Sequence, residues 1–212
     1  MWESESNRLL RIVAAPKPTV ADWSFQFSAE ELETAQKLLS GIADSEDHIA
    51  FSIGAKLPDK DWGNSNWTQV LSAISERYPN LGLVSVGSEE DRLRTEHVSG
   101  AWAGPRVNLC GVTEPRISAL VMRHAAFYLG HDSGPMHLAA LAGTRCVAVF
   151  SARAKPGVWF PHGNDHKIFY PWELADQAPA KAGFRTAGQS ILKIEPSEVI
   201  RETISLLEGE AN

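Results

Sequence analysis

The sequence predicts an α/β protein built on a parallel sheet with helices on both faces. From residue 49 onward, short apolar runs alternate with amphipathic stretches of helical spacing. Residues 125–143 run from an apolar segment through a polar, glycine-bearing turn directly into a helix of small residues. At 212 residues, 43% hydrophobic and 22% charged, the chain has the composition of an ordinary globular domain. Parallel strands need crossover connections, so strands alternating with helices imply a sheet covered on both faces.

Residues 1–44 stand apart from this alternation. Glu3 to Leu10 reads as the end of a helix, and 16–27 as an irregular, aromatic-rich connector arriving from elsewhere. Ser28-Ala29-Glu30-Glu31 has the capping-box pattern, with Leu32, Ala35, Leu38 and Leu39 along one face and Gly41 ending the helix. Strands are then expected at 49–53, 81–86, 107–110, 125–129 and 145–150, with a further one at 166–170. Helices are expected from Ser65, after Gly87, over 115–124, over 134–143 and from Pro196. Trp67, Val70, Leu71, Ile74 and Tyr78 lie at helical spacing along the first of these, and Trp62 and Trp67 are expected to anchor its loop and helix against the sheet. Residues 171–193 read as loop with little core. One Rossmann-like domain over 45–212, including the C-terminal helix, follows, preceded by the connector and helix of 1–44.

Bulk properties exclude several classes. No apolar run reaches the length of about 20 residues that spans a bilayer, and the start resembles no signal peptide. Cys110 and Cys146 lie in apolar strand contexts without metal spacing, so buried free thiols in a reducing compartment are expected. A net charge of −6 argues against general nucleic-acid binding. There is no G-x-G-x-x-G or Walker loop. Gly130-His131-Asp132-Ser133-Gly134 is not a G-x-S-x-G nucleophile loop, because two residues separate Gly130 from Ser133.

In open parallel sheets, ligands bind beyond the carboxyl ends of the strands. The residues there are 54–60, 87–89, 111–113 and 132–134. Gly54 permits close backbone approach, Lys56 and Lys60 can neutralise a diphosphate, and Glu89 can accept from a ribose diol. Val112 and Ile117 offer an apolar shelf for a base. The amides of Ser133 and Gly134 open a helix N-terminus, where backbone N–H groups and the helix dipole attract an anion. Each has a plainer alternative: the lysines as solvated loop charges, Glu89 as a first-turn acid, Asp132 as an N-cap, and His137 as a hydrogen-bonded, half-buried ring. His162 and His166 flank a loop, and no third metal ligand accompanies them.

Asp132-Ser133-Gly134-Pro135-Met136-His137-Leu138-Ala139-Ala140, followed by a strand ending at Phe150, resembles the D-[ST]-G-x-x-H-L-A-A signature of the bacterial heptosyltransferases. Gly54 to Trp62 is similar to the family's glycine turn ending in Lys-x-Trp, and Val86-Gly87-Ser88-Glu89-Glu90 to its G-x-x-E segment. The resemblance runs from about Glu3 to the C-terminus. It implies the C-terminal, donor-binding half of a GT-B glycosyltransferase that moves heptose from ADP-heptose onto a lipopolysaccharide-core acceptor. The first half, which carries the acceptor site and the base, would be missing, so no catalytic residue is expected in this chain.

By the same resemblance Lys60 would contact the diphosphate and Glu89 the ribose. Asp132 would contact the sugar, the amides of Ser133 and Gly134 the phosphate, and His137 would support the loop, with Lys56 and Gly54 completing the site. ADP-sugar is expected as donor substrate, without metal or other cofactor. The resemblance further implies a cytoplasmic location, with peripheral association of the full enzyme at the inner face of the membrane. The alternative is a non-catalytic nucleotide-binding or interaction module, either a degenerate fragment or half of a split enzyme. A third reading is an unrelated sugar-phosphate enzyme of similar fold. The chain departs from the family at Leu57-Pro58, at Gly63 where proline is usual, and at Ser151-Ala152-Arg153-Ala154-Lys155, where glycine and a short Pro/Thr turn are common. These departures bear on the sugar more than on the nucleotide.

Overall fold

The computed structural model describes residues 3–12, 25–43, 45, 47–163, 165–176 and 190–209. Much of the expected 16–27 connector and of the 171–193 loop lies outside the described residues. Strands β1 (Asp47–Ser52), β2 (Leu81–Ser85), β3 (Arg106–Asn108), β4 (Tyr128–His131), β5 (Cys146–Val149) and β6 (Lys167–Phe169) form one parallel sheet in the order β3-β2-β1-β4-β5-β6. The helices are α1 (Glu5–Ile12), α2 (Ala29–Leu38), α3 (Asn64–Arg77), α4 (Arg92–Ser99), α5 (Pro115–Arg123), α6 (Gly134–Leu141) and α7 (Pro196–Leu207).

Strand residues alternate between two cores because successive side chains of a strand point to opposite faces. On β1, Ala50 joins α2, α5 and α6 on one face, while Ile49 and Phe51 join α3, α4 and α7 on the other. The central strands are buried on both faces and largely apolar, with His48, Ser52, Ser85 and His131 as buried polar members. Trp62 and Trp67 are fully buried, with ring centroids 4.8 Å apart in an edge-to-face contact. Cys110 and Cys146 are free and buried, and burial pushes the Cys146 thiol up to about 12.

Local signals explain the ends of the elements. Ser28 and Glu31 form the reciprocal capping box of α2, which tightens into a 3-10 turn over Leu39–Ile42 rather than stopping at Gly41. Leu32 is exposed, so the buried stripe of α2 is narrower than its sequence suggests. β4 lies later in the chain than the apolar run at 125–129: it begins at Tyr128 and includes Gly130 and His131. Two features of the packing account for the shift. A Cβ on Gly130 would stand 2.3 Å from the Tyr128 hydroxyl and 2.5 Å from the Ser52 carbonyl. His131, polar by type, is completely buried with hydrogen-bond partners of its own.

Candidate functional site

The strand order reverses between β1 and β4, and a crevice at such a switch point is where open α/β sheets bind ligands. The loop after β1 and the turn after β4 flank it. Residues Pro58–Lys60 form a single 3-10 turn, with the Lys60 amide donating to the Leu57 carbonyl at 2.9 Å. Successive side chains of such a turn diverge by about 120°, so one short segment reaches in several directions.

Four consecutive residues reach apart in this way, Asp59 and Lys60 on the turn and Asp61 and Trp62 in the chain after it. Buried Asp59 pairs with the guanidinium of Arg153, from the loop after β5. Lys60 Nζ donates to Asp132 Oδ2 at 2.6 Å, with the Asp132 carbonyl at 3.4 Å. Asp61 accepts from Arg94 of α4 at 2.7 Å. The Trp62 amide donates to His131 Nε2 at 3.0 Å, and its indole N–H to the Ile194 carbonyl at 3.0 Å. The loop is thereby clasped over the ends of β4 and β5.

His131 anchors the clasp. Its Nε2 also accepts from the Trp67 indole at 3.1 Å, and a ring nitrogen that accepts two N–H bonds carries no proton. The proton therefore sits on Nδ1. The Ile53 carbonyl favours the charged ring from longer range, without ordinary hydrogen-bond geometry. Burial dominates and pushes the imidazole down to about 4, opposed by the Asp61 carboxylate and assisted by Arg94 and Lys60. For Asp61, burial acts to raise the pKa, but Arg94 and the Gly63 amide outweigh it and hold the carboxyl below its usual range.

Asp132 does not cap α6. Ser133 occupies the cap position in extended backbone (φ −148°, ψ 171°), and no side chain closes the first turn. The Asp132 carboxylate turns to Lys60 instead, and the two side chains keep only 11% and 20% of their exposure. Pro135 fits the first turn because it has no N–H to leave unpaired. Gly134 is exposed, and a Cβ there would meet nothing within 4 Å. An uncapped helix N-terminus and a lysine thus meet at one strand end, a combination suited to phosphate. The Tyr128 hydroxyl lies 3.4 Å from Ser133 Oγ, its pKa raised by burial. Burial also lowers the His137 imidazole, against the pull of Asp132, and the ring edge meets exposed Trp159 with centroids 6.5 Å apart.

The remaining candidates lie differently. Lys56 is exposed and has no ion-pair partner among the described residues. Gly54 is accounted for by Asp91, whose Oδ2 would stand 2.7 Å from a Cβ there. The Glu89 side chain is 69% exposed, pairs with Arg92 at 3.1 Å and overhangs Gly111, which adopts φ +71° and has no room for a Cβ. Val112 is exposed beside it, whereas Ile117 packs against the core. Both ring nitrogens of His166 serve local structure, one accepting from the Cys146 amide and the other bonding the His162 carbonyl.

Sequence reasoning missed Asp59, Asp61, Arg94, His131 and Arg153. The alternating charges Asp59-Lys60-Asp61 on a proline-led turn were the available signal. The arginines that answer them are distant in sequence.

A sequence model of glycosyltransferase family 9 (heptosyltransferase) matches residues 11–182. Lipopolysaccharide heptosyltransferase 3 of Escherichia coli K12 is 24% identical over 153 residues, covering 71% of this chain and 41% of that protein. A family 9 glycosyl transferase structure from Veillonella parvula aligns with a TM-score of 0.75 at 18% identity, covering 96% of this chain and 58% of that one. An E. coli heptosyltransferase solved with ADP aligns with a TM-score of 0.61 at 17% identity, covering 95% and 55%. The chain therefore spans about half the length of these relatives, and the solved structures share its fold. With most of its length matched by the family's sequence model, the chain belongs to glycosyltransferase family 9, the heptosyltransferase family.

Proposed function

We propose that these 212 residues are the nucleotide-sugar-binding half of a heptosyltransferase, with ADP-heptose as donor and a lipopolysaccharide-core saccharide as acceptor. Residues 45–212 form the donor-binding unit, and 1–44 the connector and helix leading into it. One observation carries the reading: the Lys60–Asp132 ion pair at the uncapped start of α6. Donor binding exchanges this pair. The diphosphate takes the Lys60 ammonium and the amides of Ser133 and Gly134, which frees the Asp132 carboxylate to accept a sugar hydroxyl. Glu89 accepts from the ribose, Lys56 adds charge near the diphosphate, Gly54 shapes the first loop and His137 supports the α6 turn.

In transfer, the acceptor hydroxyl attacks the anomeric carbon, the bond to the diphosphate breaks, and negative charge grows on the leaving oxygen. Lys60 and the helix N-terminus are placed to stabilise that charge. The base that takes the hydroxyl proton comes from a unit outside these residues. No metal takes part in this scheme. The full enzyme works in the cytoplasm, peripherally at the inner membrane face; no helix among the described residues is long and apolar enough to cross a membrane.

Calorimetric titration with ADP and ADP-heptose tests the binding step. Saturable heat at sub-millimolar ligand is expected, and none at millimolar ligand overturns it. The span of about half the relatives' length favours a second reading beside it, a non-catalytic nucleotide-binding or interaction module, either a degenerate fragment or a subunit of a split enzyme. Transferase activity from the isolated chain would overturn that reading.

A further inference from the structure

Arg153 lies outside every motif that marks the donor site, in the stretch after Phe150 where the chain departs from its family's usual pattern. Its guanidinium reaches across to Asp59, the residue immediately before Lys60. The Asp59 side chain is 9% exposed, and its second oxygen, Oδ1, is buried without a hydrogen-bond partner. Arg153 is therefore the main charge compensation for a buried carboxylate. A carboxylate left in such a place without its cation either drives a rearrangement or takes up a proton. Asp59 and Lys60 share one 3-10 turn, so the direction of one side chain sets that of the other.

The other restraints on this segment are the Lys60 contact with Asp132 itself and, further along, Asp61 through Arg94 and Trp62 through His131. Among the described residues, the Arg153 contact is the side-chain restraint that bears on the turn from the side of Asp59. Without it the turn is held only from Lys60 onward, and the Lys60 ammonium is directed less closely. Arginine suits the task better than lysine, because a rigid, always-charged fork holds a carboxylate in one orientation.

Building on the nucleotide reading above, we infer that Arg153 is a positioning residue for the donor diphosphate: through Asp59 it sets Lys60 over the α6 N-terminus.

The test is ADP binding to the 212-residue chain, measured by calorimetry in a cycle with Lys60→Ala. Arg153→Lys keeps the charge but loses the fork, and is expected to weaken ADP by about five-fold. In the Lys60→Ala background the same change is expected to have no further effect, because its route runs through Lys60. Asp59→Asn combined with Arg153→Met removes both charges together, which avoids an orphaned carboxylate. It is expected to keep the wild-type circular dichroism and to lose ADP affinity to a similar extent. Unchanged affinity in Arg153→Lys or in the paired variant would overturn the inference. So would an equal loss with and without Lys60, which would make Arg153 an independent contact. Wild-type chain that takes up no ADP would instead bring down the nucleotide reading on which this inference rests.

Discussion

The strand ends around the switch point and those at the β2–β3 edge of the sheet are built differently. On the β1–β4–β5 side, Asp59, Lys60, Asp61 and Trp62 are each tied to a distant part of the chain, and two of the three ion pairs are largely shielded from water. On the β2–β3 side the bonding is mainly local: Ser88 bonds Asp91 and Glu89 bonds Arg92, each three residues away. Glu89 and Val112 remain open to solvent. On the proposed donor-binding role, the difference is one of preorganisation. A group that must meet growing charge is most effective when already held, whereas one that recognises a ribose or base can be ordered on binding.

The comparison breaks first at His131. His131→Leu leaves the Trp62 amide and the Trp67 indole buried without an acceptor, and a loss of about 3 kcal/mol in urea unfolding is expected. A loss below about 0.5 kcal/mol, the range of ordinary surface substitutions, would show that the clasp does not depend on it.

The same ring makes stability depend on pH. The folded imidazole, held down to about 4, carries no proton over the range in which the unfolded one, near 6.5, takes one up. Acid therefore favours the unfolded chain: the contribution is complete above pH 6.5 and is lost as pH falls towards 4. It amounts to about 3 kcal/mol. Chemical unfolding at a series of pH values should show this slope in the wild type and a shallower one in His131→Leu. Burial lowers His48 and His137 as well, so part of the slope remains.

Ligand binding sharpens the contrast further. Lys60→Ala is expected to weaken ADP by about ten-fold, the size of one charge-assisted contact. Glu89→Gln should cost only about three-fold, because its carboxylate stays solvated and its charge is screened. Equal losses in the two variants, measured by calorimetry, would show that the closed and open sides do not differ in preorganisation.

Much of the fold was legible in the sequence because burial on both faces writes parallel strands as short apolar runs. Ile49, Leu83, Val147 and their neighbours mark the sheet without any knowledge of the partner strand. The cap at Ser28 and the helix start at Pro135 were legible because they act within one turn of their own helix. The limits of β4 were not. Gly130 and His131 look like turn residues until the Tyr128 hydroxyl, the Ser52 carbonyl and two tryptophans are placed around them. Among the candidate site residues, Lys60 and Asp132 could be named from motif and position, but nothing in a linear chain says that they bond across 72 residues.

The stretch 125–143 by itself determined that a strand delivers the chain to a helix N-terminus, since apolar run, polar turn and small-residue helix are local properties. The sequence also carried the family, through short motifs each placed after a strand. Only the tertiary structure decided which charges answer one another: Asp132 turns to Lys60 instead of capping α6, and Arg153 turns to Asp59. Local preference is set by neighbours a few residues away. The pairing of buried charges is set by which strand ends the sheet order brings side by side, and that order exists only once the chain has folded.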